Sequence, residues 1–322
     1  MLVLRLSALG DIIHTLPAVR LLRDALPDTR LGWVVEAPYR ELIEIVAPVD
    51  EVFTVATKRW RREPLLASTR SAIAGARRDL ARFAEGQTSV DFQGLIKSAL
   101  MGSLSGASVR YGFAAPVIRE RLASLFINRP LNVNPGIHIV EINSSLARAV
   151  TGSNGETPHV DLTDFCSFSR VISQRFPEGG IVLNPGAGQS GKMWPSERFA
   201  QLARLIRREL GAVPMVVWGP GEKTLAERIC LEGDAVLAPE TNLRELAFLL
   251  RQARLVVSGD SGPLHLAAAL GTKVLGLYGP TSVARNGPWG QPGHCVESPG
   301  NSKLMDSIRV EIVFQKIKEL LN

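Results

Sequence analysis

Asp11 follows a short apolar run, Leu2-Val3-Leu4-Arg5-Leu6, and the small residues Ser7-Ala8-Leu9-Gly10. Gly10 permits a tight turn and a close backbone approach. The dipole of the helix that follows favours a carboxylate at its start. Such a residue serves either as an N-cap or as a group placed for chemistry. Pro17 lies well inside that helix, so its first turns are irregular or regular helix begins only at Leu16 or Pro17. His14, one turn after Asp11, reads first as a hydrogen-bonded packing residue.

A second stretch, Ser258-Gly259-Asp260-Ser261-Gly262-Pro263-Leu264-His265, lies between an apolar strand and a helix. Free N–H groups at such a helix start cradle phosphate oxygens. Asp260 is out of place beside phosphate unless it orders the loop or meets a hydroxyl or an ammonium group. Another Gly-rich loop, residues 184–195, carries Lys192. It is not a Walker motif, because Met193 follows the lysine and the glycine spacing differs. A lysine there suits a phosphate; a flexible surface loop is the other reading. Glu222 comes just after Trp218-Gly219-Pro220-Gly221. Either the helix dipole alone favours it or it accepts hydrogen bonds from a ribose. There is no D-x-D motif and no His, Asp or Glu cluster with metal spacing, so no metal is expected to be required.

The 322 residues carry 37 Lys plus Arg and 31 Asp plus Glu, a net charge of +6. Residues 58–82 alone sum to +6, with Glu63 and Asp79 as their only acids. Charge concentrated in one segment points to one acidic partner. Lys58-Arg59-Trp60-Arg61-Arg62 is its densest part, and a tryptophan among four cations is unusual for a solubility patch. The later arginines of the segment suit a solvated helix face. Aromatic residues make up only 6%, and no nucleic-acid motif is present, so nucleic acid is not an expected partner. Three widely spaced cysteines without a CxxC predict reduced thiols and a cytoplasmic protein. No eighteen-residue stretch lacks a charge, so no membrane-spanning helix is expected. The N-terminus does not read as a signal peptide.

Short apolar runs bounded by Gly and polar residues position these candidates. In the first half, strands are predicted at 2–6, 31–35, 49–55 and 89–92, with helices at 12–26, 38–46, 65–85 and 95–104. Residues 105–160 contain helical stretches near 117–126 and 138–150 and then a polar linker from Thr151 to Pro158. The second half predicts strands at 180–184, 214–218, 235–237, 255–258 and 274–278. Helices begin near 195 and run over 222–231, 242–252 and 263–270, with a closing amphipathic helix at 304–321. Two β/α arrays of this kind predict an α/β protein of two doubly wound Rossmann-like domains facing a cleft. The expected division is residues 1–155, residues 156–305, and a helix at 306–322 that packs back toward the first domain.

Taken in order, several motifs resemble the lipopolysaccharide heptosyltransferases of glycosyltransferase family nine. They are Leu6-Ser7-Ala8-Leu9-Gly10-Asp11-Ile12-Ile13-His14-Thr15-Leu16-Pro17-Ala18, Trp33-Val34-Val35-Glu36, Arg59-Trp60-Arg61 and Asp91-Phe92-Gln93-Gly94-Leu95-Ile96-Lys97-Ser98-Ala99. Ala123-Ser124-Leu125-Phe126-Ile127-Asn128-Arg129, Lys192-Met193-Trp194-Pro195, Asp260-Ser261-Gly262-Pro263-Leu264-His265 and Leu277-Tyr278-Gly279-Pro280-Thr281 continue the series. The resemblance spans nearly the whole chain and rests on the order and spacing of the motifs.

The resemblance implies a GT-B fold and inverting glycosyl transfer without a metal or other cofactor. The implied donor is ADP-L-glycero-β-D-manno-heptose, and the implied acceptor is a Kdo sugar on lipid A at the cytoplasmic face of the inner membrane. A family member that uses another acceptor, or a non-catalytic binder of nucleotide or acidic glycolipid, is the alternative. On the family pattern Asp11 is the general base. Lys192 and the N–H groups around Ser261, Gly262, Pro263, Leu264 and His265 meet the diphosphate, Asp260 the donor hydroxyls, and Glu222 the adenosine ribose. Arg59, Arg62, Arg119 and Gln93 fall on the acceptor side, where Arg forks match carboxylates and phosphates. The donor loop Gly186-Ala187-Gly188-Gln189-Ser190 departs from the family pattern, offering one hydroxyl side chain where more are expected.

Overall fold

Apolar runs too short for helices and bounded by Gly build strands buried on both faces, as helix-covered parallel sheets require. The computed structural model describes every residue except 116–117, 119, 177–178 and 301. It divides into two compact units, Met1–Val160 and Asp161–Asn322.

The first unit holds β1 (Leu2–Leu4), β2 (Gly32–Glu36), β3 (Glu51–Val55), β4 (Thr88–Asp91), β5 (Val109–Phe113) and β6 (Arg129–Leu131). Their order in the sheet is β3-β2-β1-β4-β5-β6, with every pairing parallel. The second unit holds β7 (Ile181–Asn184), β8 (Met215–Val216), β9 (Val236–Leu237), β10 (Leu255–Gly259), β11 (Val274–Tyr278) and β12 (Cys295–Glu297). They are ordered β12-β11-β10-β7-β8-β9 and again all parallel. Counted from its own first strand, each sheet has the same winding. The strand order reverses between β1 and β4 in one unit and between β7 and β10 in the other. Ligands of such sheets bind beyond the strand carboxyl ends at that reversal.

In the first unit Leu2, Leu4 and Leu6 pack with Val34, Val55, Leu80 and Ala84. In the second, Leu183, Val257, Leu275 and Leu277 form the centre of a larger cluster. The closing helix forms over Val310–Leu321, later than expected, after a 3-10 turn at Met305–Ser307. It buries Val310, Val313, Phe314 and Ile317 in the second unit's core, because these recur at helical spacing on one side.

Other elements differ from expectation for local reasons. The predicted helix 12–26 is two helices, Leu9–Ile13 and Leu16–Ala25, with Pro17 in the first turn of the second, where a missing N–H costs nothing. The helical stretch near 117–126 is a 3-10 helix, Arg121–Phe126, and Val117 lies outside the described residues. Strands β5, β6 and β12 were not anticipated. In β6 Pro130 is tolerated because the strand lies at the sheet edge. Among the described residues no helix is long and apolar enough to cross a membrane.

Candidate active site

Asp11 occupies the third position of the helix Leu9–Ile13, three residues past the N-cap Ala8. Its Oδ2 accepts from the Ala8 N–H at 3.3 Å and its Oδ1 lies 2.8 Å from Arg5 Nη2. The Asp11 side chain is 50% exposed, whereas that of Arg5 is 6% exposed. A buried guanidinium therefore pins a carboxylate that still faces outward. Arg5 also donates to the carbonyl oxygen of Phe92, beyond β4, and its own carbonyl accepts from Trp33 Nε1 at 2.9 Å. Gln93 Oε1 accepts the Leu6 N–H at 2.7 Å, tying the loop after β4 to the loop that leads into Asp11. His14 is buried, packs edge-on to His138 with ring centroids 5.6 Å apart, and offers its carbonyl to Asn143. It is a packing residue, as read from the sequence.

Below this loop Asp91 closes β4. Its Oδ1 accepts from the Gln93 and Gly94 N–H groups at 2.8 and 3.2 Å, and its Oδ2 accepts from Ser98 Oγ at 2.9 Å. Burial pushes its carboxyl up to about 6 against these hydrogen bonds and the Arg5 charge. Glu36, at the end of β2, is buried and accepts from Thr57 Oγ1, with Lys97 Nζ 4.0 Å from its Oε1. Burial lowers the Lys97 ammonium below its usual range; Glu36 opposes this, and Lys58 and Arg61 add to it.

The Glu36–Thr57 bond roots the basic helix Thr57–Arg62. Trp60 roots it further by packing against the first unit's core. That explains a tryptophan among cations. Arg59 and Arg62 are left exposed, with Arg59 3.2 Å from Glu63. Arg119 lies outside the described residues.

In the second unit the two Gly-rich loops meet at the reversal between β7 and β10. Asn184 Nδ2 donates to Ser258 Oγ at 2.8 Å, to Ser261 Oγ at 3.1 Å and to the Gly186 carbonyl at 3.1 Å. Lys192 Nζ is 2.7 Å from Asp260 Oδ2, and His265 Nε2 is 3.0 Å from Asp260 Oδ1. Burial pushes the Asp260 carboxyl up, but His265 and the Lys192 ammonium outweigh it and hold it well below the usual carboxylate range. The ammonium that the Asp260 position called for is thus Lys192. Both Asp260 oxygens already take a donor, and each keeps capacity for another.

Ser261 is the N-cap of the helix Gly262–Ala269, but its hydroxyl is turned toward Ser258 and makes no cap bond. The first-turn N–H groups of Gly262 and Leu264 therefore lack a side-chain cap, and Pro263 contributes none. The glycine at 259 lets the loop come close: a Cβ there would lie 2.8 Å from the Lys192 carbonyl. Glu222 stands at the N-cap position of the helix Lys223–Gly233, but its carboxylate makes no cap bond and takes the Gly219 N–H at 2.9 Å instead. Its carboxylate lies against Gly186, where a Cβ would meet Oε2 at 2.1 Å.

Sequence reasoning assigned no role to Arg5, Asp91, Glu36, Lys97 or Asn184. The signal for Arg5, Glu36, Asp91 and Asn184 was positional, since each stands at or just past a strand's carboxyl end; Lys97 lies in the helix Ile96–Leu104 that follows β4. An arginine in an otherwise apolar strand run is a further sign, because a buried cation must find a partner.

Two α/β units of the same winding, one presenting a pinned carboxylate and the other a capless helix start beside a lysine, have the make-up of a GT-B glycosyltransferase. A family model, Glycosyltransferase family 9 (heptosyltransferase), matches residues 85–313. Lipopolysaccharide heptosyltransferase 1 of Escherichia coli is 30% identical over 322 residues, covering 99% of this chain and 99% of its own. The protein of that name from Pseudomonas aeruginosa is 32% identical over 295 residues, covering 90% of this chain and 81% of its own. The solved structure of the E. coli heptosyltransferase WaaC with ADP matches at a TM-score of 0.83 and 29% identity, covering 99% of each chain. The chain belongs to glycosyltransferase family 9, the heptosyltransferase family.

Proposed function

We propose that this chain transfers L-glycero-D-manno-heptose from ADP-heptose to the Kdo of Kdo–lipid A, in synthesis of the lipopolysaccharide inner core. It does so as a peripheral protein at the cytoplasmic face of the inner membrane. The observation that carries the reading is the half-exposed Asp11 carboxylate held by buried Arg5 at the strand-order reversal of the first unit.

Asp11 takes the proton of the Kdo hydroxyl as that oxygen forms its bond to the anomeric carbon. The bond from that carbon to the diphosphate breaks from the opposite side, and ADP leaves with the electron pair, so the configuration inverts. An ordinary carboxylate suffices for this when it lies within hydrogen-bond reach of the hydroxyl. Lys192 and the open N–H groups of Gly262 and Leu264 stabilise the charge that develops on the diphosphate. Asp260 holds Lys192 in place and takes a donor hydroxyl. Glu222 accepts from the ribose. Arg59 and Arg62, with Arg119, meet carboxylates and phosphates of the acceptor.

The test is product analysis with purified ADP-heptose and Kdo–lipid A, for the wild type and for Asp11→Ala. The wild type should release ADP and add one heptose mass to the acceptor. The variant should lose about 10²- to 10⁴-fold in kcat while binding ADP normally. Near-normal turnover by the variant sinks the base assignment. Turnover only on an acceptor that already bears a heptose moves the chain to another step of the core.

A further inference from the structure

The helix Ala67–Ala84 carries an apolar stripe that outruns the core beneath it. Leu66, at its N-cap, and Ile73, Leu80 and Ala84 fall on one side of the helix, spaced by seven, seven and four residues. Leu80 and Ala84 are buried in the first unit's core. Leu66 and Ile73, on the same stripe, are exposed, and Leu65 beside them is 89% exposed. Arg70 and Arg77 stand within the exposed part of the stripe, and every residue from 61 to 68 is exposed. A single exposed leucine on a folded surface needs no explanation, but two adjacent ones inside the most cationic segment of the chain do.

We infer that residues 61–77 dock this protein on an anionic lipid bilayer. Leu65, Leu66 and Ile73 enter the boundary between headgroups and acyl chains, and Arg70 and Arg77 meet lipid phosphates. The charge complementarity is direct, since residues 58–82 sum to +6. Cations flanking an apolar tip combine the two attractions that hold interfacial segments to anionic membranes. The segment has no wall of its own to grip a peptide, because its residues 61–68 stand exposed without a break. Trp60, packed against the core, and the Glu36–Thr57 bond fix its near end to the body of the unit. The inference deepens the reading of a lipid-borne acceptor and takes its biological setting from it.

The test uses the full-length protein and acceptor-free vesicles of phosphatidylcholine with and without phosphatidylglycerol, read by co-sedimentation. Binding should need the anionic lipid and weaken with salt. Leu65→Ser with Leu66→Ser should lower partitioning about tenfold or more. Turnover on a water-soluble Kdo acceptor should be unchanged, which also reports that the variant is folded. Arg70→Glu with Arg77→Glu should remove most of the salt dependence. A wild type that stays in the supernatant at low salt overturns the inference. So does a leucine variant that binds as well as wild type, or one whose loss is matched on a soluble polyanion. Vesicle binding without turnover would sink the proposed reaction alone, and turnover without vesicle binding would sink the docking alone.

Discussion

Asp91→Asn should make the first unit more stable, relative to wild type, as pH rises. Burial pushes the Asp91 carboxyl up to about 6 from an ordinary 3.8. An acid whose pKa is raised on folding binds its proton more tightly in the native state. Its stabilising contribution is therefore full below the unfolded value and is lost as pH rises through the folded one. The rise is equivalent to about 3 kcal/mol, nearly all of it lost by neutral pH. Asparagine keeps an acceptor for the Gln93 and Gly94 N–H groups. Its amide donates to Ser98 Oγ, whose own proton is free to serve the Leu95 carbonyl 2.9 Å away. The geometry survives and the buried charge does not. From about pH 5 to about pH 7.5 the variant should gain on the order of 1 to 2 kcal/mol on wild type. The readout is hydrogen exchange of the β1 and β4 amides, with variant and wild type compared at each pH so that other titrations cancel. Because the Gln93 loop stays in place, kcat should stay within about twofold. A stability gap that does not change with pH would refute the argument, since the carboxyl would not then be titrating in that range.

Two further outcomes follow from the same geometry. Gly186→Ala should push the Glu222 carboxylate off the Gly219 N–H, because its Cβ would lie 2.1 Å from Oε2. The clash is with a flexible side-chain end, so stability should fall by only about 1 kcal/mol. ADP affinity, measured by calorimetry, should drop to the level of Glu222→Ala, and normal affinity in both variants would remove Glu222 from the donor site. Arg5→Met should release Asp11 and leave the Phe92 carbonyl without its guanidinium donor, lowering kcat about tenfold or more with donor KM unchanged. Steady-state kinetics should show Arg5→Lys restoring part of kcat, and equal losses in the two variants would mean Arg5 is only structural.

Much of the fold was legible because parallel strands buried on both faces write themselves as apolar runs. Leu2-Val3-Leu4, Ile181-Val182-Leu183 and Leu255-Val256-Val257 are of this kind, and the candidates just past them were found by position alone. Strands β5 and β6 escaped because Val109-Arg110-Tyr111-Gly112-Phe113 is partly exposed and Arg129-Pro130-Leu131 is an edge. The cores of the site were legible only in part. Residue type left Asp260 either ordering its loop or meeting a hydroxyl or an ammonium group; Lys192 lies 68 residues earlier in the chain, and only the β7–β10 pairing brings their loops together. Gln93 was set on the acceptor side by resemblance; the structure shows its side-chain oxygen committed to the Leu6 N–H. Roles for Asp11, Lys192 and Glu222 came from the family resemblance, since residue type and spacing left each with a structural alternative.

The same winding serves opposite electrostatic ends in the two units, and the reason lies in what fills each reversal point. In the first, Arg5 fills the space between β1 and β4 from below, so its charge is spent on Asp11 Oδ1 and the Phe92 carbonyl, and what faces outward is a carboxylate. In the second, Asn184, Ser258 and Ser261 fill the space with neutral groups bonded to one another. The Ser261 hydroxyl is thereby drawn away from the helix it should cap, and what faces outward is a set of N–H donors beside Lys192. Asp260 would spoil this as a free anion next to a diphosphate. Its pairing with Lys192 and His265 removes that objection and aims the lysine at the same time. A proton acceptor and an anion holder are what transfer to a hydroxyl from a nucleoside diphosphate requires. On the proposed reading, each traces to the side chain, Arg5 or Asn184, that stands at or just past the end of a unit's first strand.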